Sequence, residues 1–144
     1  MGYNHILLAV DLTDESDQVA QKALEIARLN NARVTTVHII EPINFAYGGD
    51  IPMDLTAIQA QLDEHAQKRL KTFVETNSLP SDNNKVVVGL PQSEIHRIAE
   101  EEGADLIVIG SHGRHGLALL LGSTSNGVLH GAKCDVLAVR IKEA

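Results

Sequence analysis

Residues 106–126 read Leu-Ile-Val-Ile-Gly-Ser-His-Gly-Arg-His-Gly-Leu-Ala-Leu-Leu-Leu-Gly-Ser-Thr-Ser-Asn, an apolar run followed by a segment rich in glycine and polar residues. This stretch predicts an apolar strand, then a polar, glycine-rich loop, and then a helix that begins after Gly122. This order suits a phosphate, because glycines let backbone N–H groups approach an anion and a helix start offers unpaired N–H donors. Glycine, serine and histidine between a strand and a helix are also typical of an ordinary surface turn. The rest of the chain must decide between a ligand site and a turn.

Apolar strands alternate with amphipathic helices along the chain. Short apolar runs predict strands over 5–10, 85–89, 105–109 and 135–141, and the β-rich composition of 33–40 predicts another strand there. Apolar residues at helical spacing predict helices over about 14–30, 54–76, 91–103 and 123–130. Thr13 or Asp14 is the expected N-cap of the first helix. Proline and glycine residues between 41 and 53 predict a long loop.

This alternation predicts one α/β domain built on a five-stranded parallel sheet with helices on both faces. In such a sheet a ligand binds outside the carboxyl ends of the strands, where the strand order reverses. If the first and fourth strands are the central neighbours, the order is 3-2-1-4-5. Asp11 and Gly110 then flank the crevice, although about a hundred residues separate them in sequence.

The composition is that of a soluble globular domain. The chain has 144 residues, of which 44% are hydrophobic and 22% are charged, enough to bury a core without disulfides or metal. No apolar run approaches the roughly 18 residues of a membrane span. The first residues also lack the basic region followed by an apolar region that is typical of a signal peptide. We therefore expect a cytoplasmic protein without membrane insertion.

Charge and aromatic content argue against a nucleic-acid partner. The net charge is −7, whereas phosphate backbones are held by clustered Lys and Arg. Two Phe, two Tyr and no Trp leave no platform for base stacking. The single cysteine, Cys134, excludes an internal disulfide and a cysteine-rich zinc site, and we expect a partly buried structural thiol.

The motifs favour binding over catalysis. There is no Walker A sequence, and the first strand is not followed by the glycines of a dinucleotide fingerprint. There is also no Gly-x-Ser-x-Gly nucleophile motif and no recognisable carboxylate pair, so no catalytic residue is predicted. The glycine-rich loop instead follows the fourth strand.

Several polar residues near the predicted crevice have two interpretations. The Asp11 carboxylate either accepts hydrogen bonds from a ribose or adenine, or helps hold a metal, or caps the first helix. Arg114 either neutralises a phosphate or points into solvent. His112 and His115 lie three residues apart, but no Cys or carboxylate completes a zinc site, so loop contacts or phosphate hydrogen bonds are favoured and no metal ligand is predicted.

The chain resembles the universal stress protein family, the UspA-like group of small α/β proteins, over essentially its full length. The resemblance is carried by His-Ile-Leu-Leu-Ala-Val-Asp at the start, Val-His-Ile-Ile in the second strand, Asp-Leu-Ile-Val-Ile-Gly-Ser-His-Gly-Arg, and Cys-Asp-Val-Leu-Ala-Val-Arg at the end. The nucleotide-binding branch has Gly-x2-Gly-x9-Gly-[Ser/Thr] after strand four. Gly110, Gly113, Gly122 and Ser123 match it in kind, with eight residues in the second interval.

The resemblance implies a Rossmann-like, HUP-type fold and a site for ATP, or for ADP or AMP, with Mg²⁺ or Mn²⁺ carried by the phosphates. It implies that Ala9 and Asp11 border the adenosine, that Ile39 or Ile40 lines the adenine pocket, and that Ile109 lies against the sugar. The residues implied around the phosphates are Gly110, Gly113, Arg114, Gly122, Ser123, Thr124 and Ser125. The shorter interval allows a shift in which Thr124 replaces Ser123.

The resemblance also implies a homodimer that pairs through the last strand, for which residues 136–141 are apolar enough. The leading hypothesis is a cytoplasmic ATP-binding stress protein whose nucleotide occupancy regulates a conformation or an unidentified protein partner, with at most weak hydrolysis. The alternative is a dimeric interaction module of the same family that does not bind nucleotide. An adenylyl-transferring enzyme is disfavoured, because the His-x-x-His that such enzymes commonly use near strand one is absent.

Overall fold

Strands and helices alternate throughout the part of the chain that the structure, a computed structural model, describes: residues 2–42, 55–110 and 126–141. The strands are β1 (His5–Ala9), β2 (Arg33–Ile40), β3 (Lys85–Val88), β4 (Leu106–Gly110) and β5 (Asp135–Val139). The helices are α1 (Ser16–Asn30), α2 (Leu55–Thr76), α3 (Pro91–Glu102) and α4 (Asn126–Gly131). None of the helices in these ranges combines the length and apolar character needed to cross a bilayer.

The five strands form one parallel sheet in the order β3-β2-β1-β4-β5, which confirms the predicted fold. β1 lies at the centre, with Leu8 in register with Thr36 of β2 and with Val108 of β4. The strand order therefore reverses between β1 and β4. Their carboxyl ends are neighbours at the same edge of the sheet, as the sequence predicted.

Each face of the sheet is covered by helices, and this explains why the strands are rich in apolar side chains on both faces. The core has two hydrophobic clusters, one on each face of the sheet. Ile6 and Leu8 point into the first cluster, which α1 and α2 cover, whereas Leu7 points into the second cluster, beneath α3 and α4. All three side chains are fully buried. A strand that is covered on both faces does not show the alternation of apolar and polar residues that is typical of a strand with one exposed face.

The ends of the elements depart from the predicted bounds by one or two residues. β1 ends at Ala9 and β5 at Val139, because the chain leaves the ladder before the apolar run is complete. The predicted cap of α1 is wrong: the N-cap is Glu15, and no side chain caps the helix. Thr13 is instead engaged in a turn with Asp11. The predicted start of α4 at residues 123–125 lies outside the described residues.

Asp105 joins the starts of the two central strands at the opposite edge of the sheet. Its carboxylate accepts the backbone N–H of Asn4 at 2.9 Å and that of His5 at 3.0 Å. Burial acts to raise the pKa of Asp105, but these amide donors outweigh it, and the net effect is a lowered pKa. The ionised form is thus favoured by the folded chain.

We predict that Asp105→Asn makes the free energy of unfolding depend less on pH at acidic pH. A carboxyl group with a lowered folded pKa contributes stability that is present above its ordinary pKa of 3.8 and is lost as the pH falls through the folded value. The variant should be less stable than wild type near neutral pH and should lose less stability on acidification. Urea unfolding measured from pH 7 to about pH 2.5 tests this. Asp82→Asn, in the exposed loop between α2 and β3, is the control, and an equally reduced pH dependence in it would contradict the prediction.

Candidate functional site

The candidate site lies at the edge of the sheet where β1 and β4 end. β1 ends at Ala9, two residues before Asp11, while β4 ends at Gly110, the first glycine of the predicted motif. The structure therefore places the end of β1 beside the end of β4, as the predicted strand order requires. Six of the predicted site residues lie outside the described residues: Gly113, Arg114, Gly122, Ser123, Thr124 and Ser125.

Three predicted apolar site residues share one face of the sheet. Ala9 and Ile39 are half-buried and pack against the second cluster, beneath α3 and α4. Ile109 belongs to that cluster itself and is only 5% exposed. A ligand at the edge of the sheet would therefore contact the half-buried side chains of Ala9 and Ile39, whereas the Ile109 side chain is buried in the core. Ile40, the other candidate in β2, is also half-buried.

The Asp11 carboxylate organises the turn between β1 and α1. Its Oδ1 accepts hydrogen bonds from the Thr13 backbone N–H at 3.1 Å, the Thr13 hydroxyl at 2.8 Å and the Ser16 hydroxyl at 2.7 Å. All hydrogen bonds that the described residues give to this carboxylate go to Oδ1. Asp11 is thus a turn former of the Asx type, and not a direct N-cap. Its second oxygen, Oδ2, remains on the half-buried side chain as an acceptor.

The backbone on either side of Asp11 is held by side chains from other elements. The Val10 N–H continues the ladder to the Val37 carbonyl at 3.0 Å, and the Val10 carbonyl accepts from His38 Nδ1 at 2.9 Å. The Leu12 carbonyl accepts from the guanidinium group of Arg69 in α2. Leu12 itself has φ of 61°, a left-handed conformation that is uncommon for a residue other than glycine.

Gly110 has a packing role that the sequence did not reveal. A Cβ atom at this position would lie 2.8 Å from Cδ1 of Ile141 and 3.3 Å from Cγ2 of Val19. Both contacts are closer than ordinary van der Waals packing, so a side chain would displace its neighbours. Packing between β4, α1 and Ile141 therefore favours glycine here, because a methyl group would require the end of the Ile141 side chain to turn away and Val19 to give way slightly.

An open groove of about 700 Å³ runs between this turn and α2. Leu12 and Phe73 form its apolar part, and acidic and basic side chains line its two sides: Asp14 and Asp17 from the turn and α1, and His65, Lys68 and Arg69 from α2. The helical pattern predicted only a solvated polar face for α2. Arg69 was missed, and the available signal was its position directly before Leu70, which places it beside the buried stripe.

Metal and thiol chemistry receive no support within the described ranges. No group of three His, Cys, Asp or Glu side chains is placed there to hold a metal ion, and His112 and His115 lie outside these ranges. Cys134 is half-buried, as predicted. Burial, and then the carboxylates of Asp135 and Asp105, raise the pKa of its thiol. A raised pKa disfavours the reactive thiolate.

Comparisons with known proteins agree with this architecture. The sequence profile of the Universal stress protein family matches residues 2–140. Universal stress protein A homolog 1 of Coxiella burnetii is 42% identical over 145 residues, which cover 99% of this chain and 100% of that protein. Homolog 2 of the same organism is 44% identical over 145 residues, covering 98% and 97%.

Solved structures of similar chains share the fold over almost the whole length. The structure of the hypothetical protein MJ0577 superposes with a TM-score of 0.79 at 25% identity, and the match covers 100% of both chains. A universal stress protein crystallised in complex with cAMP superposes with a TM-score of 0.61, also at 25% identity, covering 96% of this chain and 98% of that one.

We predict that Gly110→Ala destabilises the protein by about 1–3 kcal/mol, because the new methyl group overpacks against Cδ1 of Ile141. Ile141→Val deletes that atom and should cost about 0.5–1.5 kcal/mol alone. If the contact is the cause, the double variant will lose less stability than the sum of the single variants. Urea unfolding of the four proteins measures the coupling. Strict additivity would show that the Ile141 contact is not what requires glycine.

Proposed function

The chain belongs to the universal stress protein family, and from this premise we propose that it binds an adenine nucleotide in the crevice where β1 and β4 end. The observation that carries the proposal is the reversal of strand order at this point, with the Asp11 turn on one side and the start of the glycine-rich loop at Gly110 on the other. Open parallel sheets bind ligands at such a reversal. The cAMP complex of a 25% identical family member supports an adenine nucleotide as the ligand.

The described residues have distinct roles in this proposal. Ala9 and Ile39 form the half-buried rim against which the adenine would pack. Oδ1 of Asp11 is occupied by Thr13 and Ser16, so Oδ2 is the oxygen that would accept a ribose hydroxyl. Ile109 and Gly110 would contribute backbone only, since the side chain of one is core and the other has none.

The phosphates of ATP, or of ADP or AMP, would be held by the loop between β4 and α4. The residues proposed for this role are Gly113, Arg114, Gly122, Ser123, Thr124 and Ser125. Backbone N–H groups, hydroxyls and a single guanidinium group suit a polyphosphate in an otherwise acidic protein. Mg²⁺ or Mn²⁺ would accompany the nucleotide through its phosphates, since the described side chains form no cation site of their own.

We propose a regulatory role in the cytoplasm in place of strong catalysis. The sequence has neither a nucleophile motif nor a recognisable pair of acid and base residues, so hydrolysis would be weak. Nucleotide occupancy would then act by changing the conformation that a protein partner meets.

We predict that the purified protein binds ATP with Mg²⁺ and that Gly113→Val abolishes this binding, because a branched side chain blocks the approach of the backbone to the phosphates. Isothermal titration calorimetry measures both. Gly116→Val is the matched control: it makes the same change in the same loop outside the glycine motif, and it should retain ATP affinity. No heat with wild-type protein at millimolar ATP would contradict the nucleotide proposal.

We also propose that two copies pair through β5, which lies at the edge of the sheet beside β4. Its residues 136–139 are apolar and half-buried, so an exposed row of backbone donors and acceptors is flanked by side chains that favour a partner. Sedimentation equilibrium should give twice the mass of one chain at micromolar concentration. A single-chain mass under those conditions would contradict pairing.

A further inference from the structure

We propose that Arg69 of α2 is a positioning residue of the nucleotide site, which holds the turn after β1 in the conformation that presents Asp11. The inference rests on the proposed function, and it assigns to that site a residue that lies more than fifty positions from Asp11 in sequence. Arg69 would not itself touch the nucleotide. It acts through the backbone of Leu12.

The first observation is that the turn is held in an unfavourable conformation. Leu12 has φ of 61°, and its side chain is only 6% exposed, so it is anchored in the first cluster. For a residue with a Cβ atom this left-handed region is costly, and it persists where the surroundings determine it from several directions. Such outliers concentrate at ligand sites. Leu12 directly follows Asp11.

The second observation is that the two carbonyls flanking Asp11 each accept a hydrogen bond from a side chain of a different element. The Val10 carbonyl accepts from His38 Nδ1 of β2, and the Leu12 carbonyl accepts from the Arg69 guanidinium of α2. A carbonyl that leaves the strand ladder at a turn has no regular backbone partner. These two donors therefore fix the peptide planes on both sides of Asp11.

The third observation is that the two neighbouring cations of α2 are used differently. Lys68 pairs with Glu64 at 3.5 Å on the helix surface, where the two side chains are 76% and 71% exposed. Arg69 reaches across the groove to the turn, although both residues line that groove. The flat guanidinium group suits this bridging position because it offers several N–H donors in fixed directions. A comparison of variants at Lys68 and Arg69 therefore distinguishes the effect of the hydrogen bond to Leu12 from the effect of a positive charge in the groove.

Loss of the Arg69 hydrogen bond would let Leu12 relax toward negative φ, and the shared contacts of Asp11 Oδ1 with Thr13 and Ser16 would loosen with it. Arg69 is an exposed residue, so its replacement removes no buried packing of its own. We expect Arg69→Gln to weaken ATP binding about tenfold, an effect of the size of one hydrogen bond to a charged donor. Arg69→Lys keeps one donor and should recover part of the affinity.

The test is calorimetric titration of the full chain with ATP and Mg²⁺ for wild type, Arg69→Gln, Arg69→Lys and Lys68→Gln. Support requires a loss of about tenfold in the first variant, partial recovery in the second, and wild-type affinity in the third, with melting temperatures close to that of wild type. Equal affinity of Arg69→Gln and wild type overturns the inference and leaves the proposed function standing. An equal loss in Lys68→Gln also overturns it, because charge alone would then be the cause.

A second measurement does not use the nucleotide. Hydrogen exchange of the Thr13 amide, which donates to Asp11 Oδ1, should be faster in Arg69→Gln than in wild type and unchanged in Lys68→Gln. Unchanged exchange in Arg69→Gln overturns the holding role even if affinity falls. If wild type binds no ATP, the proposed function fails and the assignment of Arg69 to a nucleotide site fails with it, whereas faster exchange would still be recorded as a property of the turn.

Discussion

Burial of the central strands on both faces is the constraint on which the rest of this structure depends. β1 lies between β2 and β4 and beneath helices on each side, so polar side chains within the central strands are buried and bonded inside the protein, as His5 is to Thr35. Polar groups that can meet solvent lie at the two ends of these strands. At one end Asp105 ties the central strands together, and at the other the chain turns at Asp11.

The two ends of the sheet use carboxylates in related ways. Asp105 and Asp11 each accept backbone N–H groups at a point where a central strand meets a loop, and each thereby fixes the geometry of that edge. They differ in how many of their carboxylate oxygens accept a hydrogen bond. Asp105 gives both oxygens to the backbone, whereas the described contacts of Asp11 use one oxygen. The edge at Asp11 therefore keeps one carboxylate oxygen that makes no hydrogen bond to the described residues.

Gly110 illustrates why a glycine motif alone is an incomplete argument for a phosphate site. In the proposed function the glycine allows the approach of an anion, but the positions of Ile141 and Val19 also disfavour a side chain there. Packing and binding therefore favour the same residue for independent reasons. The case for a nucleotide rests on the position of the strand reversal and on family membership, and the glycine is consistent with both requirements.

The sequence pattern determined the order of the elements and the parallel sheet, because apolar periodicity and strict alternation leave few ways to cover both faces of a sheet. It placed Asp11 near Gly110 only on the condition that the first and fourth strands are neighbours, which the structure shows. It did not determine the cap of α1, the packing need at Gly110 or the contact of Arg69 with Leu12. Each of these depends on residues that lie far apart in the chain or on competition between neighbouring polar groups. Only the folded arrangement decides them, since no spacing in the sequence records which side chain reaches a given carbonyl.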